Sequence, residues 1–185
     1  HSVKRILADA GLAIFIDHAK RPGDALAVKR VAGARQRRAT QGQAVGAGAH
    51  FAHALGIARA AFEDATAYIN ERSQSGRKII EFQGIQFLLA DVAAELVLTE
   101  SYLWQVGAMI DAGATDFGIE ASILKLRASD VAMRASTEAV QLLGGYGYCK
   151  DYRVERLMRD AKITQIWEGT NQVHRQIIGR SFISR

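Results

Sequence analysis

The segment of this sequence with the clearest chemical potential places a carboxylate between an aromatic ring and a glycine. Glu168 follows Trp167 and precedes Gly169, within DAKITQIWEGTNQVHRQ. The absent side chain at Gly169 leaves room for a reacting atom, and the large apolar neighbour helps to exclude water. Because desolvation raises the pKa of a carboxyl group, this setting would strengthen Glu168 as a base towards an unactivated C–H proton.

The same residues also have a purely structural interpretation. Residues 169–172 predict the start of a helix, where free backbone N–H groups favour a nearby negative charge. Thr170 is a typical N-cap residue, and Glu168 would then be an acid stabilised by the helix dipole. Spacing alone leaves both interpretations open and favours the structural one.

A second candidate is the glycine-rich segment LLGGYGY, residues 142–148. It follows a predicted helix rather than a strand, which is the wrong context for a dinucleotide-binding fingerprint. Glycines in this position are typical of a helix stop and a tight turn. They would also let the backbone approach a flat or phosphorylated ligand closely.

Several other chemistries are not supported by the residue pattern. The sequence contains no zinc-type Cys/His spacing, no phosphate-binding GxxxxGK loop and no GxSxG nucleophile motif. The five histidines are scattered. His50 and His53 share a predicted helix face, but no acidic residue stands one turn away, so we expect no metal site.

The amino-acid composition limits the classes of protein to which this chain can belong. Of the 185 residues, 49% are apolar, and no run approaches the roughly 18 apolar residues that a membrane span requires. We therefore expect no membrane association. The single cysteine, Cys149, excludes an internal disulfide, and a reducing cytoplasmic compartment is the simplest expectation.

The net charge of +5 is concentrated at the N-terminal end. Residues 1–48 contain nine Lys/Arg and three Asp, whereas residues 49–185 contain fifteen basic and sixteen acidic residues. The basic segment VKRVAGARQRRATQGQ could contact phosphates of a nucleic acid, a lipid or a nucleotide cofactor. A solvated linker is the simpler interpretation, and a nucleic-acid partner is not favoured.

From residue 49 onward, apolar residues follow the alternating steps of three and four that mark one face of a helix. The first such face comprises Phe51, Leu55, Ala58, Phe62, Ala65 and Ile69. The second comprises Phe82, Ile85, Leu89, Val92, Leu96, Thr99, Leu103, Val106 and Ile110. Residues 72–76 (RSQSG) and the glycine at 113 predict the turns that follow these two helices.

A third helix is predicted from Phe117 to Leu143, and shorter ones over KDYRVERLMRDA and Thr170–Phe182. Three long helices with short connections pack most economically as antiparallel neighbours. We therefore predict an all-α, up-down helical bundle over residues 49–185, since glycine-marked turns disfavour a coiled coil. Residues 1–48 would form an irregular basic N-terminal extension with one short strand, Leu12–Ile16.

The chain from about Leu55 to Phe182 resembles the C-terminal helical domain of the acyl-CoA dehydrogenases. The likeness lies in LGIARAAFEDATAYINERSQSGRKIIEFQGIQFLLADVA, in AVQLLGGYGYCKDYRVERLMRDAKITQIWEGTNQVHRQIIGR and in the helices between them. The closing block, with GGYGY, VERLMRDAKI and EGT after an aromatic residue, is specific to that family. ADAGLAIFIDHAKRPG is faintly similar to the last strands of the β-domain that precedes the bundle in relatives, which implies a remnant of that domain and a linker in residues 1–48.

The resemblance implies an FAD-dependent acyl-CoA dehydrogenase, or its C-terminal domain. In short- and medium-chain members, the glutamate of EGT removes the α-proton of an acyl-CoA thioester while a hydride leaves the β-carbon for FAD. Glu168 occupies that position and is thus the implied catalytic base. An electron-transfer flavoprotein would be the electron acceptor.

The resemblance also implies a set of cofactor-binding residues. Thr170 and Gln172 match residues that touch the flavin nucleotide. Arg72 matches an arginine that reaches the FAD diphosphate of the neighbouring subunit, and Gln141 and Gly145 match positions near the adenosine end of that cofactor. Such shared sites imply a homodimer or homotetramer.

Two further hypotheses remain open. The chain could be a truncated, non-catalytic helical assembly module, or a subunit of a split acyl-CoA dehydrogenase. A weaker one is a basic helical nucleic-acid binder that uses residues 29–38, which the near-neutral charge of the bundle disfavours.

Overall fold

The computed structural model describes residues 42–183, with side chains from residue 51 onward. The predicted strand Leu12–Ile16 and the basic segment around residues 29–38 lie outside the described residues. The residues from His50 onward belong to one compact unit. Within the described range, no helix is both long enough and apolar enough to cross a bilayer.

The described residues form five α-helices and one small hairpin. In chain order these are α1 (Gly42–Glu71), β1 (Ser73–Gln74), β2 (Arg77–Lys78), α2 (Gln83–Asp111), α3 (Gly118–Leu143), α4 (Val154–Thr164) and α5 (Asn171–Arg180). Short 3-10 turns cover Ile79–Glu81 and Gly144–Tyr148. The predicted all-α helical bundle is thus confirmed, and α1 begins at Gly42, within the segment assigned to the extension.

The apolar faces predicted from periodicity form the core. On α1, Phe51, Leu55, Ala58, Ala65 and Ile69 are buried. On α2, Leu89, Val92, Leu96, Thr99 and Val106 are buried. The helical period of 3.6 residues places these side chains on one stripe of each helix, which is the stripe that the bundle covers.

Helix α3 is the centre of the bundle and contacts α2, α4, α5 and the Gly144–Tyr148 turn. Its buried face is rich in small residues, among them Ala128, Ala132, Ala135 and Ala139. Small side chains let neighbouring helices approach closely, and burial of this face supplies the apolar contact area that stabilises the fold.

Two ion pairs tie α1 to its neighbours. Arg59 Nε donates to Glu100 of α2 at 3.0 Å, and Arg153, just before α4, holds Asp64 with two hydrogen bonds of 2.6 and 2.8 Å. Burial raises the pKa of Glu100, and the Arg59 charge partly opposes that rise. Fork-shaped arginine contacts of this kind fix the relative orientation of helices as well as adding attraction.

The hairpin between α1 and α2 has a two-residue loop. Ser73 pairs with Lys78 and Gln74 with Arg77, so Ser75 and Gly76 occupy the loop. Their φ angles are +53° and +82°, as a type I′ turn requires, which suits the right-handed twist of the two strands. The hairpin follows Arg72 directly and positions that side chain beside the end of α3.

Candidate active site

The turn between α4 and α5 carries Glu168 in a strained backbone conformation. Glu168 and Gly169 have successive φ angles of +52° and +91°. A residue with a side chain loses roughly 1–2 kcal/mol in this left-handed region, and such strain concentrates at functional sites. Glycine adopts the left-handed region without strain, so only Glu168 is strained in this turn.

Thr170 is the N-cap of α5. Its backbone is extended, and its side-chain oxygen accepts a hydrogen bond from the N–H of Val173 at 3.4 Å. This confirms the predicted helix start and the cap. Glu168 therefore lies two residues before the positive end of a helix dipole, a position that favours a negative charge.

Glu168 is exposed within the described part of the chain. Trp167 is half-buried and packs beside His53, with ring centroids 6.0 Å apart. The expectation of a desolvated carboxyl group is therefore not met by the described residues. Exclusion of water from Glu168 would have to come from a bound substrate or from another surface.

A buried polar cluster lies behind this turn and centres on Asn171, the first residue of α5. The side-chain oxygen of Asn171 accepts hydrogen bonds from Lys125 Nζ at 2.7 Å and from the Ser129 hydroxyl at 3.0 Å. Its amide nitrogen donates to Asp130 at 2.8 Å. Asn171 and Lys125 are each 3% exposed, so these bonds satisfy groups that would be costly to bury unpaired.

The cluster extends outward from Asp130. Gln165 donates to one carboxylate oxygen of Asp130 at 2.8 Å, and Arg175 donates to the other at 3.1 Å. Burial lowers the pKa of Lys125 to about 8, although the charge of Asp130 acts in the opposite direction. The network joins α3, the end of α4 and the first turns of α5 around the Glu168 turn.

Sequence reasoning missed this cluster. Lys125 and Ser129 occupy α3 positions flanked by the buried Leu124 and Ala128. The sequence did contain a signal, because the helical period assigns Lys125 to the core. A lysine is almost never fully buried unless it is paired. The partner, Asn171, is 46 residues away, so periodicity could not identify it.

The second predicted group of residues lies in an open groove of about 820 Å³. Arg72, Gln141 and Gly145 all line it, together with Tyr146 and apolar side chains of the α2 start, Phe82, Ile85 and Leu88. The Arg72 guanidinium carbon lies 5.8 Å from the centre of the Tyr146 ring. A mostly apolar groove with one cation at its edge can hold a flat ligand that carries phosphate.

The glycine-rich turn forms one wall of this groove. A Cβ added at Gly145 would meet no atom within 4 Å, so the backbone there faces open space. Gly147 differs, because an added Cβ would lie 2.6 Å from the Val140 carbonyl oxygen. The predicted helix stop and tight turn are therefore present, and the exposed backbone at Gly145 is accessible to a ligand.

The structure thus brings together Arg72, Gln141 and Gly145, and separately Glu168, Thr170 and Gln172. None of the second set lines the groove. Gln172 is exposed on the first turn of α5. Among residues 51–183, no group of three or more His, Cys, Asp or Glu side chains is arranged to hold a metal ion.

Comparison with known proteins identifies the family. The family model of the acyl-CoA dehydrogenase C-terminal domain matches residues 36–183. The chain belongs to the acyl-CoA dehydrogenase family. It is 50% identical over 129 residues to the acyl-CoA dehydrogenase of Bacillus subtilis, covering 70% of this chain and 34% of the relative. It is 48% identical over 133 residues to the short-chain specific acyl-CoA dehydrogenase of Clostridium acetobutylicum, covering 69% of this chain and 33% of the relative.

Solved structures show the same relationship. Butyryl-CoA dehydrogenase of Megasphaera elsdenii matches with a TM-score of 0.75 and 43% identity, over 78% of this chain and 38% of that one. A chain from a structure described as the electron transferring flavoprotein of Acidaminococcus fermentans matches with a TM-score of 0.75 and 42% identity, over 80% of this chain and 38% of that one. The chain spans about a third of the length of the curated relatives it matches. The resemblance to the C-terminal helical domain is confirmed.

Proposed function

We propose that this chain serves as the C-terminal domain of an FAD-dependent acyl-CoA dehydrogenase, with Glu168 as the catalytic base of the EGT motif. The observation that carries the proposal is the strained left-handed φ of +52° at Glu168, directly before Gly169. Glu168 is an exposed carboxylate under backbone strain, and it belongs to an EGT motif that resembles the one in which short- and medium-chain members carry their base. Strain of this kind persists only where the surrounding structure imposes it.

The chemistry assigned to Glu168 is removal of the α-proton of an acyl-CoA thioester. The neighbouring thioester carbonyl acidifies that C–H bond, and the Glu168 carboxylate takes the proton onto one of its oxygens. Gly169 presents no side chain beside the approaching substrate. FAD, when bound, would accept the hydride that leaves the β-carbon. A positioned base of this kind contributes about 10²–10⁴-fold to the rate.

The groove is assigned to the cofactor. Arg72 would pair with the FAD diphosphate, since its guanidinium is exposed at the edge of the groove. Gln141 and Gly145 would border the adenosine end, where the open backbone at Gly145 permits close approach. The apolar lining suits the flat parts of such a ligand, so the residues present fit the group.

Thr170 and Gln172 are assigned to the flavin nucleotide of a different FAD. They lie at the α5 start and do not line the groove that contains Arg72. One chain would therefore contribute to two cofactor sites, as in a homodimer or a homotetramer that shares sites between subunits. An electron-transfer flavoprotein is the proposed electron acceptor, and the cytoplasm is the proposed location.

The segment 1–48 is proposed to contain the end of a β-domain and a linker ahead of the bundle at 49–185, and its last residues already belong to α1, which begins at Gly42. A full active site would need surfaces beyond the described residues, since the exposed Glu168 must become shielded from water during proton transfer.

A second candidate function is a non-catalytic assembly module, or one subunit of a split acyl-CoA dehydrogenase. The observation that favours it is the exposure of large apolar side chains along α2. Exposed apolar side chains on α2 agree with an assembly role, namely Phe87 at 62%, Leu98 at 70% and Trp104 at 43% exposure.

A visible absorption spectrum of the purified chain, after incubation with FAD and gel filtration, separates the two functions. Retained oxidised flavin bands support the enzyme domain, and Arg72→Ala should then lower the retained flavin. A colourless protein supports the module. The control is Arg180→Ala, which removes an exposed arginine at the end of α5 that does not line the groove.

A further inference from the structure

The imidazole ring of His174 packs directly against the turn that carries Glu168. Its Nε2 lies 3.2 Å from the backbone carbonyl oxygen of Glu168. A Cβ added at Gly169 would come within 3.1 Å of the same nitrogen. A side chain at position 169 would therefore crowd the ring in this position.

The contact requires a proton on Nε2 of the ring. A carbonyl oxygen only accepts hydrogen bonds, so His174 must donate through an Nε2–H group. In the neutral ring this leaves Nδ1 without a proton. Nδ1 is buried and has no hydrogen-bond partner, which suits an unprotonated nitrogen better than an N–H group that would lack an acceptor.

We propose that His174, as the neutral Nε2–H tautomer, is a positioning residue that holds the Glu168–Gly169 turn in its left-handed conformation. The inference rests on the proposed role of Glu168 as the base. His174 itself would touch neither substrate nor cofactor. It acts through the Glu168 backbone, and so determines where the carboxylate stands.

The surroundings of the ring keep it neutral. Burial lowers the pKa of His174, the Lys125 charge on α3 lowers it further, and the bond to the Glu168 carbonyl acts in the opposite direction. A neutral ring retains the single N–H that the contact needs. Protonation would add an N–H at the buried Nδ1 and a second cation near Lys125.

The ring is also held on a rigid base. Its backbone N–H donates to the Thr170 carbonyl at 3.2 Å, inside the first turn of α5. Asn171, three residues before it, is fastened to Lys125 and Ser129 of α3. These contacts fix the backbone from which the imidazole projects towards the turn.

The test uses NMR on the full 185-residue chain labelled with ¹³C and ¹⁵N. In a long-range ¹H–¹⁵N spectrum, the His174 ring, assigned by the signal that vanishes in His174→Gln, should show a protonated Nε2 and an unprotonated Nδ1. The one-bond Cα–Hα coupling of Glu168 should report a positive φ. A protonated or opposite tautomer at neutral pH would overturn the proposal.

Two variants probe the contact itself. His174→Phe keeps a flat ring but removes the donor, and Glu168 should then lose its positive-φ coupling while α5 amides stay unchanged. His174→Gln retains a side-chain N–H and should restore part of the signature. Gln176→Ala is the matched control, since Gln176 is exposed on the same helix. A positive φ at Glu168 in folded His174→Phe would contradict the proposal, and if that variant fails to fold, the tautomer measurement on the parent decides.

Failure of this inference is distinguishable from failure of the proposed function. In holoprotein challenged with butyryl-CoA, His174→Phe should slow flavin bleaching by up to about 100-fold, the cost of a small misplacement of a catalytic group. His174→Gln should recover part of that rate. If Glu168→Gln bleaches at the parent rate, Glu168 is not the base, although the tautomer and the φ signature would stand.

Discussion

Lys125 and Asn171 are joined by a buried hydrogen bond of 2.7 Å that fastens the start of α5 to the middle of α3. The two residues are 46 positions apart in sequence. Because Glu168 lies only three residues before Asn171, the bond anchors the C-terminal side of the turn that carries the proposed base.

The Asn171 cluster predicts a large stability effect at one polar residue. Asn171→Ala would remove the hydrogen-bond acceptor of the buried Lys125 ammonium. Ser129 would keep the Lys125 carbonyl as an acceptor, and Asp130 would keep the donor Gln165. We expect the free energy of unfolding to fall by about 3 kcal/mol, the upper end of the cost of unsatisfied buried groups. Urea unfolding followed by circular dichroism measures this. As a control, Gln172→Ala at the exposed neighbouring position should change the free energy of unfolding by less than about 0.5 kcal/mol. Equal effects of the two substitutions would contradict the anchoring role of Asn171.

Lys125 predicts a pH dependence of stability. Its folded-state pKa is about 8, below the ordinary lysine value of 10.5, so the unfolded chain binds more protons between these two values. The free energy of unfolding should therefore rise, through this group, as pH increases from about 8 to about 10.5, by at most about 3 kcal/mol. Below pH 8 the cost of the buried charge is fully present. Lys125→Met should remove this rise in a comparison of urea unfolding across that range, and parallel profiles would contradict the low pKa.

Two of the three glycines in the turn after α3 should respond differently to the same change. Gly147→Ala would place a Cβ 2.6 Å from the Val140 carbonyl oxygen and 2.9 Å from the Leu143 Cβ. Overpacking of this kind costs about 1–3 kcal/mol. Gly145→Ala meets open space and should leave stability within about 0.5 kcal/mol of the parent. Thermal unfolding of both variants provides the measurement, and a tolerated Gly147→Ala would mean that the turn can shift.

Glu168→Gln should separate catalysis from folding. The amide keeps the size of the side chain and removes the basic carboxylate, so bleaching of bound flavin by an acyl-CoA should slow by about two to four orders of magnitude. The melting temperature should stay near that of the parent. Glu63→Gln, at an exposed glutamate of α1, is the matched control and should leave the bleaching rate unchanged. A marked loss of stability in Glu168→Gln would instead indicate a structural acid.

The exposed apolar residues of α2 predict self-association. Leu98 is 70% exposed and Phe87 62%, so we expect a dimer or tetramer in multi-angle light scattering at micromolar concentration. Leu98→Lys should shift the mass downward, because a charge at an apolar contact is costly to desolvate. Asn70→Lys, at an exposed polar site on α1, is the control and should leave the mass unchanged. A parent chain that is monomeric throughout would count against shared cofactor sites.

Local sequence patterns predicted most of the helices and several of their ends, although α1 begins at Gly42, before the predicted start of the bundle at residue 49. Apolar steps of three and four predicted the buried faces of α1 and α2, and the glycines at 113 and 144 predicted where α2 and α3 end. Thr170 predicted the cap of α5. These features depend on local backbone and side-chain preferences over one or two helical turns, which a single segment carries within itself. The closing block also contained the family resemblance that the comparisons confirm.

Tertiary structure alone decided which distant residues meet. Arg72 and Gln141 share a groove only because the end of α1 packs beside the end of α3. The left-handed φ of Glu168, the buried Nδ1 of His174 and the bond from Lys125 to Asn171 likewise arise from packing between elements. The physical reason is that a polar group can be buried only where a partner from elsewhere in the chain satisfies it, and local sequence does not specify that partner.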